Sequence, residues 1–540
     1  MRKIREGNKM ETYVIAYDIG TTGVKTSLFL LEDRIVPVAG AQQGYNLYIL
    51  ENGGAEQDGD EWWQAMCATT CEVLEKSGVA KEKIRGISFC SQMQGLVLTD
   101  EKGVPVHRPM SYMDQRAEAE IREGMSYGLQ IAGANIFKLL PSLRITGAVS
   151  CSVKDPIWKY KWLEKNEPEN FARARHWLDV KEYLISRCTG EFVMTEDSAF
   201  STFLYDTRKG REGWSDRLCR MFGVRRELLP RIIKTTEKAG EITAAAAAEL
   251  GLAERTPVFG GGGDATLIGI GAGCVKSGDT HIYCGTSGWV STIVDRQMVD
   301  TSAMIAAIVG AQSGKFNYFA EMETAGKCLE WVKDHLCLDE IGIYLEKHDI
   351  CENEEALYTS LYDYMSEVIK NAQPGAGGVI FAPWLHGNRC PFEDSDAGGM
   401  FFNIRLETGK TEMLRAVVEG VCYHLCWMLE CQDRKIKTSD RIRFCGGGAL
   451  SDVTGQILSD ITGRTVEVVA NPQNVGAVGA AATAGVGLGV MGSIEEIASF
   501  IPPEKIFRPD MAAHALYVKN YDVFKRLHKA SAESFRILNN

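Results

Sequence analysis

Hydrophobic and polar positions follow two rhythms along this chain. Tyr13-Val14-Ile15-Ala16-Tyr17 is a short unbroken apolar run, and after Asp18-Ile19-Gly20-Thr21-Thr22-Gly23 the chain resumes as Val24-Lys25-Thr26-Ser27-Leu28-Phe29-Leu30-Leu31. Runs of this length around turn residues predict the two strands of a β-hairpin. Over 56–77 the spacing becomes helical, with Trp62, Trp63, Met66 and Leu74 giving a broad apolar face. Ile84-Arg85-Gly86-Ile87-Ser88-Phe89-Cys90 and Leu96-Val97-Leu98 read as strands separated by the polar stretch Ser91-Gln92-Met93-Gln94-Gly95. An alanine-rich helix and a polar turn over 240–256 predict a domain boundary, followed by a short strand, Pro257-Val258-Phe259, that runs into Gly260-Gly261-Gly262-Gly263-Asp264 and a helix start. The opening pattern then recurs: strand Thr280-His281-Ile282-Tyr283-Cys284, turn Gly285-Thr286-Ser287-Gly288, and a returning strand over 289–294. One hairpin in each half predicts a structural duplication. Arg441-Ile442-Arg443-Phe444-Cys445 leads into Gly446-Gly447-Gly448-Ala449, and helices follow over 451–462, 475–490 and 512–540.

Those turns carry the candidate chemistry. Four glycines allow positive φ and close approach to the main chain. Asp264 is the acid beside them, placed where a helix N-terminus would favour its charged form. It reads either as the N-cap of a tight strand-to-helix turn or as a proton acceptor. In the first hairpin, backbone N–H groups and the hydroxyls of Thr21 and Thr22 can ring a phosphate, and Asp18 can hold hydrated Mg²⁺. No Gly-x-x-x-x-Gly-Lys-Ser/Thr P-loop occurs there. A second hairpin facing the first would clamp a nucleotide's phosphates between two domains, and glycines 446–448 suit a base or ribose. The dinucleotide fingerprint fails at that loop, because Ser451 stands at its sixth position. Polar amides at 92 and 94, and the Ser111-Tyr112-Met113-Asp114-Gln115-Arg116 segment, suit a hydroxylated ligand.

The ordered set of motifs resembles the FGGY family of carbohydrate kinases, within the actin and sugar-kinase superfamily, over most of the chain. Asp18-Ile19-Gly20-Thr21-Thr22 resembles its first phosphate loop, Gly285-Thr286-Ser287-Gly288 its second, and Gly446-Gly447-Gly448-Ala449 its adenosine loop. Gly262-Gly263-Asp264 is similar to the catalytic-base site. Lys159-Tyr160-Lys161-Trp162-Leu163-Glu164-Lys165-Asn166 and the stretch from Gly399 to Glu419 resemble two family signatures, with Asn403 where glycine is usual. The segment 381–391 resembles another, with Asn388 where glutamate is usual. The resemblance implies an α/β chain of two ribonuclease-H-like (actin/hexokinase superfamily) domains, each a mixed β-sheet flanked by helices, closing by a hinge around an interdomain cleft. The expected divisions are 11–254, 255–495 and a helical tail, 496–540, packed on the second domain.

It also implies ATP and Mg²⁺, with transfer of the γ-phosphoryl group to a primary hydroxyl of a sugar or polyol. Asp264 is the implied base, with no need of a raised pKa, and Asp18 and Asp264 the implied metal site, through water. Gly20, Thr21, Thr22, Lys25, Gly285, Thr286, Gly446, Gly447, Gly448 and Ala449 are expected to bind ATP. Gln92, Met93, Gln94 and Asp114 join Asp264 as expected substrate contacts. Gln94 stands where xylulokinases carry histidine and Ala265 where they carry asparagine, while the Arg-Glu pair of glycerol kinases is absent. The expected acceptor is a ketose such as D-xylulose, with another ketose, a polyol or an aldonate as the alternative. The rival of another class is an actin-like nucleotide-dependent conformational protein.

Composition narrows the partners. A net charge of −12, with no basic cluster, argues against nucleic acid. No apolar run is long enough to span a bilayer. The basic opening Met1-Arg2-Lys3-Ile4-Arg5 lacks a following apolar stretch, so no secretory signal is expected, and Met10 is an alternative start. Sixteen cysteines without Cys-x-x-Cys pairs read as buried hydrophobes of a cytoplasmic protein, and the dispersed histidines offer no zinc pattern. A homodimer is compatible with these features.

Overall fold

The first apolar run and its return form β1 (Thr12–Ile19) and β2 (Gly23–Leu31), paired antiparallel, with β3 (Ile35–Gly44) beyond. This computed structural model describes residues 11–131, 133–336 and 361–539; the basic opening and Met10 lie outside them. Predicted helix 56–77 is α1 (Gly59–Ser77), started by Asp58 accepting from the Asp60 N–H and ended by Gly78 at φ +63°. On the other side of β1 runs β4 (Ile84–Ser91), parallel to it. The first signature lies on α2 (Pro156–Asn166).

The first sheet continues past the expected boundary. β5 (Lys238–Glu241), β6 (Pro257–Phe259) and β7 (Gly262–Gly263) all belong to it, in the order β5-β6-β4-β1-β2-β3, with β7 also on β4. A division at 254/255 would cut β6 from its partner β5, so that expectation is corrected: the first lobe extends through the glycine stretch into α3 (Asp264–Gly271).

The second sheet repeats the first. β8 (Thr280–Cys284) and β9 (Gly288–Val294) form its hairpin, followed by β10 (Val299–Asp300), β11 (Ile305–Val309) and β12 (Phe316–Met322). After α4 (Gly326–Leu336) and α5 (Lys410–Asp433) come β13 (Arg441–Cys445), β14 (Thr465–Val469), α6 (Val475–Gly487) and β15 (Pro503–Phe507). The order is β10-β11-β12-β9-β8-β13-β14-β15. β12-β9-β8 are antiparallel neighbours like β3-β2-β1, and β13 and β14 run parallel beside β8 as β4 and β6 do beside β1. The tail is corrected too: β15 adds a strand to the sheet before α7 (Met511–Asn539) begins. Tyr517, Phe524 and Leu527 of α7 are buried, as their spacing predicts.

The lobes meet through small residues. α6 packs on α3 and across β1 and β4, in one apolar cluster joining Val14, Ala16 and Cys90 to Leu267, Val475 and Ala480. A Cβ on Gly271 would sit 1.8 Å from the Val475 carbonyl oxygen, and one on Gly479 would sit 2.3 Å from that of Leu267. The second signature is structural: Arg415 Nε meets Glu419 Oε1 at 2.6 Å, and the Tyr517 hydroxyl donates to the same oxygen at 2.8 Å, tying α5 to α7. Asn403, where the family has glycine, takes φ +67°, a conformation asparagine tolerates better than most residues. Among the described residues no cysteine is disulfide-bonded, no cluster of three or more metal-ligating side chains occurs, and no helix is long and apolar enough to cross a membrane.

Candidate active site

Lateral pairing sets two acids close together. Asp18 near the end of β1 pairs with Cys90 of β4, and Cys90 pairs with Gly262 of β7. One residue on, Ser91 pairs with Gly263, so Asp264 and the segment Gln92-Met93-Gln94 leave adjacent strands side by side. A Cβ on Gly263 would lie 2.0 Å from Met93 Sδ, so only glycine lets Met93 lie against the backbone before Asp264. The N-cap reading of Asp264 does not hold: Gly263 takes the cap position, and Asp264 Oδ1 accepts from the next N–H, that of Ala265, at 2.7 Å.

Burial pushes the half-buried Asp264 carboxyl up to about 7; Asp18 and Glu321 add to the rise, and the Ala265 N–H opposes it. The expected favour of the helix N-terminus for its charged form is therefore outweighed by desolvation. Asp18 is also raised, by burial first, with Lys25 across the hairpin opposing.

Side chains behind the first turn hold its carbonyls. The Tyr45 hydroxyl lies 2.5 Å from the Gly20 carbonyl and 3.0 Å from that of Gly23, the Tyr45 N–H donates to Thr22 at 3.1 Å, and Gln57 Nε2 donates to Thr21 at 2.6 Å. Thr22 and Lys25 remain exposed. In the second lobe, the Gly285 carbonyl accepts from the Gly326 N–H at 2.7 Å and that of Thr286 from Ala325 at 3.0 Å, seating this turn on the start of α4. Cβ atoms on Gly446 and Gly448 would lie 2.5 Å from the Cys284 carbonyl oxygen and 2.7 Å from Cys284 Sγ. The glycine loop after β13 therefore lies against the second hairpin, with Gly447 exposed and open. Ala449 is 2% exposed, so its methyl belongs to the core.

The strands of the second hairpin come against the first lobe, where Trp289 and Tyr283 join Val14 and Ala16 in one apolar cluster. Burial raises the Tyr283 hydroxyl, and Cys445, Asp18 and Asp264 raise it further, placing both acids within electrostatic reach of β8. Asn317 of β12 donates to the Ala265 carbonyl at 3.0 Å. Asp114 behaves differently from expectation. It is 0% exposed, bound by Arg116 Nη2 at 2.7 Å and by the Ala55 N–H at 2.8 Å. Its carboxylate orders its own loop, and the expected substrate contact is corrected.

With these hairpins, the glycine loop and the acid in place, a profile comparison decides the family. The FGGY family of carbohydrate kinases matches through its N-terminal domain over 13–271 and its C-terminal domain over 281–488. The chain belongs to the FGGY family of carbohydrate kinases. It is thus a phosphotransferase with an alcohol acceptor, built as two α/β lobes. This kinase is 28% identical to a gluconokinase of Bacillus subtilis over 459 residues, 84% of this chain and 83% of that protein. It is 27% identical to a xylulose kinase of the same organism over 520 residues, 96% of each. Among solved structures, a ligand-bound xylulose kinase from Lactobacillus acidophilus superposes with a TM-score of 0.83 at 25% identity, over 98% of this chain and 100% of that one. A gluconate kinase from that organism gives 0.82 at 25% identity with the same coverage.

Four residues of the kinase's site escape sequence reasoning. Gln57 bridges the first turn to Gln92 Nε2, at 2.9 Å. Asp197 accepts from the Gly263 N–H and from Thr266 Oγ1, each at 2.7 Å, beneath the glycine-acid stretch. Lys159 of the first signature is buried and donates to the carbonyls of Gln94 and Ser111, each at 2.7 Å. Glu321 reaches the site from β12. The signature lysine carries a sequence signal; the others are single polar residues whose partners lie far along the chain.

Proposed function

We propose that this kinase transfers the γ-phosphoryl group of ATP to a primary hydroxyl of a ketose, D-xylulose foremost. The observation carrying the proposal is the position of Asp264. It leaves β7 beside the amide-bearing Gln92–Gln94 segment, which itself leaves β4 next to the first phosphate hairpin, and its carboxyl is pushed up to about 7 by burial. A base whose pKa lies near working pH combines availability with proton affinity. The acceptor oxygen bonds to phosphorus as the bond to the β-phosphate oxygen breaks; the hydroxyl proton goes to Asp264 and ADP leaves. Transfer of this kind depends mainly on positioning and charge neutralisation.

Asp18 and Asp264 suit a hard divalent cation. Asp18 adds to the rise of Asp264, and two protein carboxylates suffice for Mg²⁺, which keeps waters and substrate phosphates around it. When bound, it would neutralise phosphate charge. Gly20, Thr21, Thr22 and Lys25 on one side, and Gly285 and Thr286 on the other, would line the phosphates, with Gly446, Gly447 and Gly448 toward the nucleoside. Gln92, Met93 and Gln94 would meet the sugar.

The charge around the pocket favours a neutral acceptor over gluconate, the substrate named for one set of relatives. Arg116 is taken by Asp114 and Glu56, and Arg389 lies among Glu321, Glu323 and Asp155, which hold its pKa up. A sugar carboxylate would meet more acid than base. The test is ADP release across D-xylulose, other ketoses, alditols and D-gluconate. D-xylulose is expected to give the highest kcat/KM. D-gluconate leading would replace the acceptor, and ATP turnover unmoved by every sugar would overturn the kinase mechanism.

A further inference from the structure

Gln57 touches both halves of the site. It is 0% exposed, and its own N–H donates to the Pro109 carbonyl at 2.9 Å. Its Nε2 donates to the Thr21 carbonyl at 2.6 Å, and its Oε1 accepts from Gln92 Nε2 at 2.9 Å. A carbonyl oxygen can only accept, so Thr21 fixes which end of the Gln57 amide is nitrogen. Gln57 Oε1 must then face Gln92, which fixes the Gln92 amide in turn. What remains is Gln92 Oε1, buried without a hydrogen-bond partner in a residue only 6% exposed. The Gln92 N–H adds a second tie to the first hairpin, donating to the Ile19 carbonyl at 2.9 Å.

We propose that Gln57 is a positioning residue that couples the two substrates. It holds the Gln92 amide against the phosphate turn and so presents one lone acceptor to the sugar. The proposal rests on the reading of Gln92 as a sugar contact. Because the lone atom is an acceptor, the group opposite must be a hydroxyl donor; a keto or carboxylate oxygen there would meet oxygen with oxygen. A nucleotide that shifts Thr21 shifts the amide chain, so each substrate changes the other's affinity by the same factor.

The test is calorimetry on the full chain, measuring affinity for the best acceptor of the ADP-release panel (D-xylulose on the present reading) with and without a saturating non-hydrolysable ATP analogue and Mg²⁺. Wild type is expected to show coupling of about fivefold or more. Gln57→Leu is expected to bring that factor to about one and to weaken sugar binding about tenfold. Coupling retained in Gln57→Leu, or absent from wild type, overturns the proposal. Gln92→Ala separates it from the reading beneath. If Gln92→Ala leaves sugar affinity unmoved, the sugar-site reading falls. If it weakens the sugar while Gln57→Leu keeps its coupling, only the role of Gln57 falls. Should Gln57→Leu fail to fold, Gln57→Glu carries the same comparison, since it keeps size and the acceptor toward Gln92 and loses the donor to Thr21.

Discussion

The hairpins ending β1 and β8 follow one plan and carry different chemistry. The first turns at Gly20-Thr21-Thr22-Gly23 and the second at Gly285-Thr286-Ser287-Gly288, each on the first two strands of a sheet with the same neighbours. Two residues before the first glycine, one strand carries Asp18 and the other Tyr283. Asp18 is a half-buried acid next to Asp264, whereas Tyr283 stacks on Trp289 with ring centroids 4.0 Å apart. The first turn is braced by side chains, Tyr45 and Gln57, and the second by backbone N–H groups at the start of α4. A repeated sheet thus supplies two cradles, and reactive carboxylates are concentrated in the first lobe. The second lobe contributes main chain, glycine loop and aromatic packing.

That division of labour is open to direct attack. The largest effect is expected from Asp264→Asn, which should lower kcat about 10²–10⁴-fold while calorimetry still finds ATP bound; near-wild-type kcat would remove the first lobe's claim to the chemistry. In wild type, kcat/KM should fall as pH drops through about 7, because only the unprotonated carboxylate accepts a proton. The same raised pKa makes the folded state favour the protonated form. Its stabilising contribution is present at acid pH and lost as pH rises through about 7. Asp264→Asn should therefore melt about 2 °C higher than wild type at pH 8 and show no gain at pH 4.

Next in size is Gly479→Ala, where the new methyl would press on the Leu267 carbonyl between the lobes. A loss of about 1–3 kcal/mol in urea unfolding is expected. Gly446→Ala probes the second cradle alone. Its φ of +90° and the nearby Cys284 carbonyl should strain the loop and raise the KM for ATP about tenfold, with the sugar KM unmoved. A matching rise for the sugar would blur the contrast between lobes. Smallest is Lys25→Ala. Without this cation Asp18 should hold its proton to higher pH, lowering activity about two- to fivefold at pH 6 and less at pH 8.

What could be read from sequence was local. Hairpins, helix faces and glycine turns announce themselves through short-range spacing, and β1, β2, α1, β8, β9 and α7 form close to where the pattern puts them. The acid after the glycines was legible because four glycines leave it alone in its stretch. Its raised pKa was not, since that depends on Asp18 and Glu321 arriving from distant strands. Asp114 looked available until Arg116, two residues away, closed on it. Gln57 and Asp197 act through partners more than thirty residues away, and nothing around them in sequence marks the contact. The boundary was misplaced for a similar reason: β6 joins the first sheet by pairing, and pairing across a long loop leaves no local sign.

The junction of α3 and α6 has a mechanical consequence. Where Gly271 and Gly479 cross, the two helices approach main chain to main chain. A bulkier residue at either position would wedge the lobes apart.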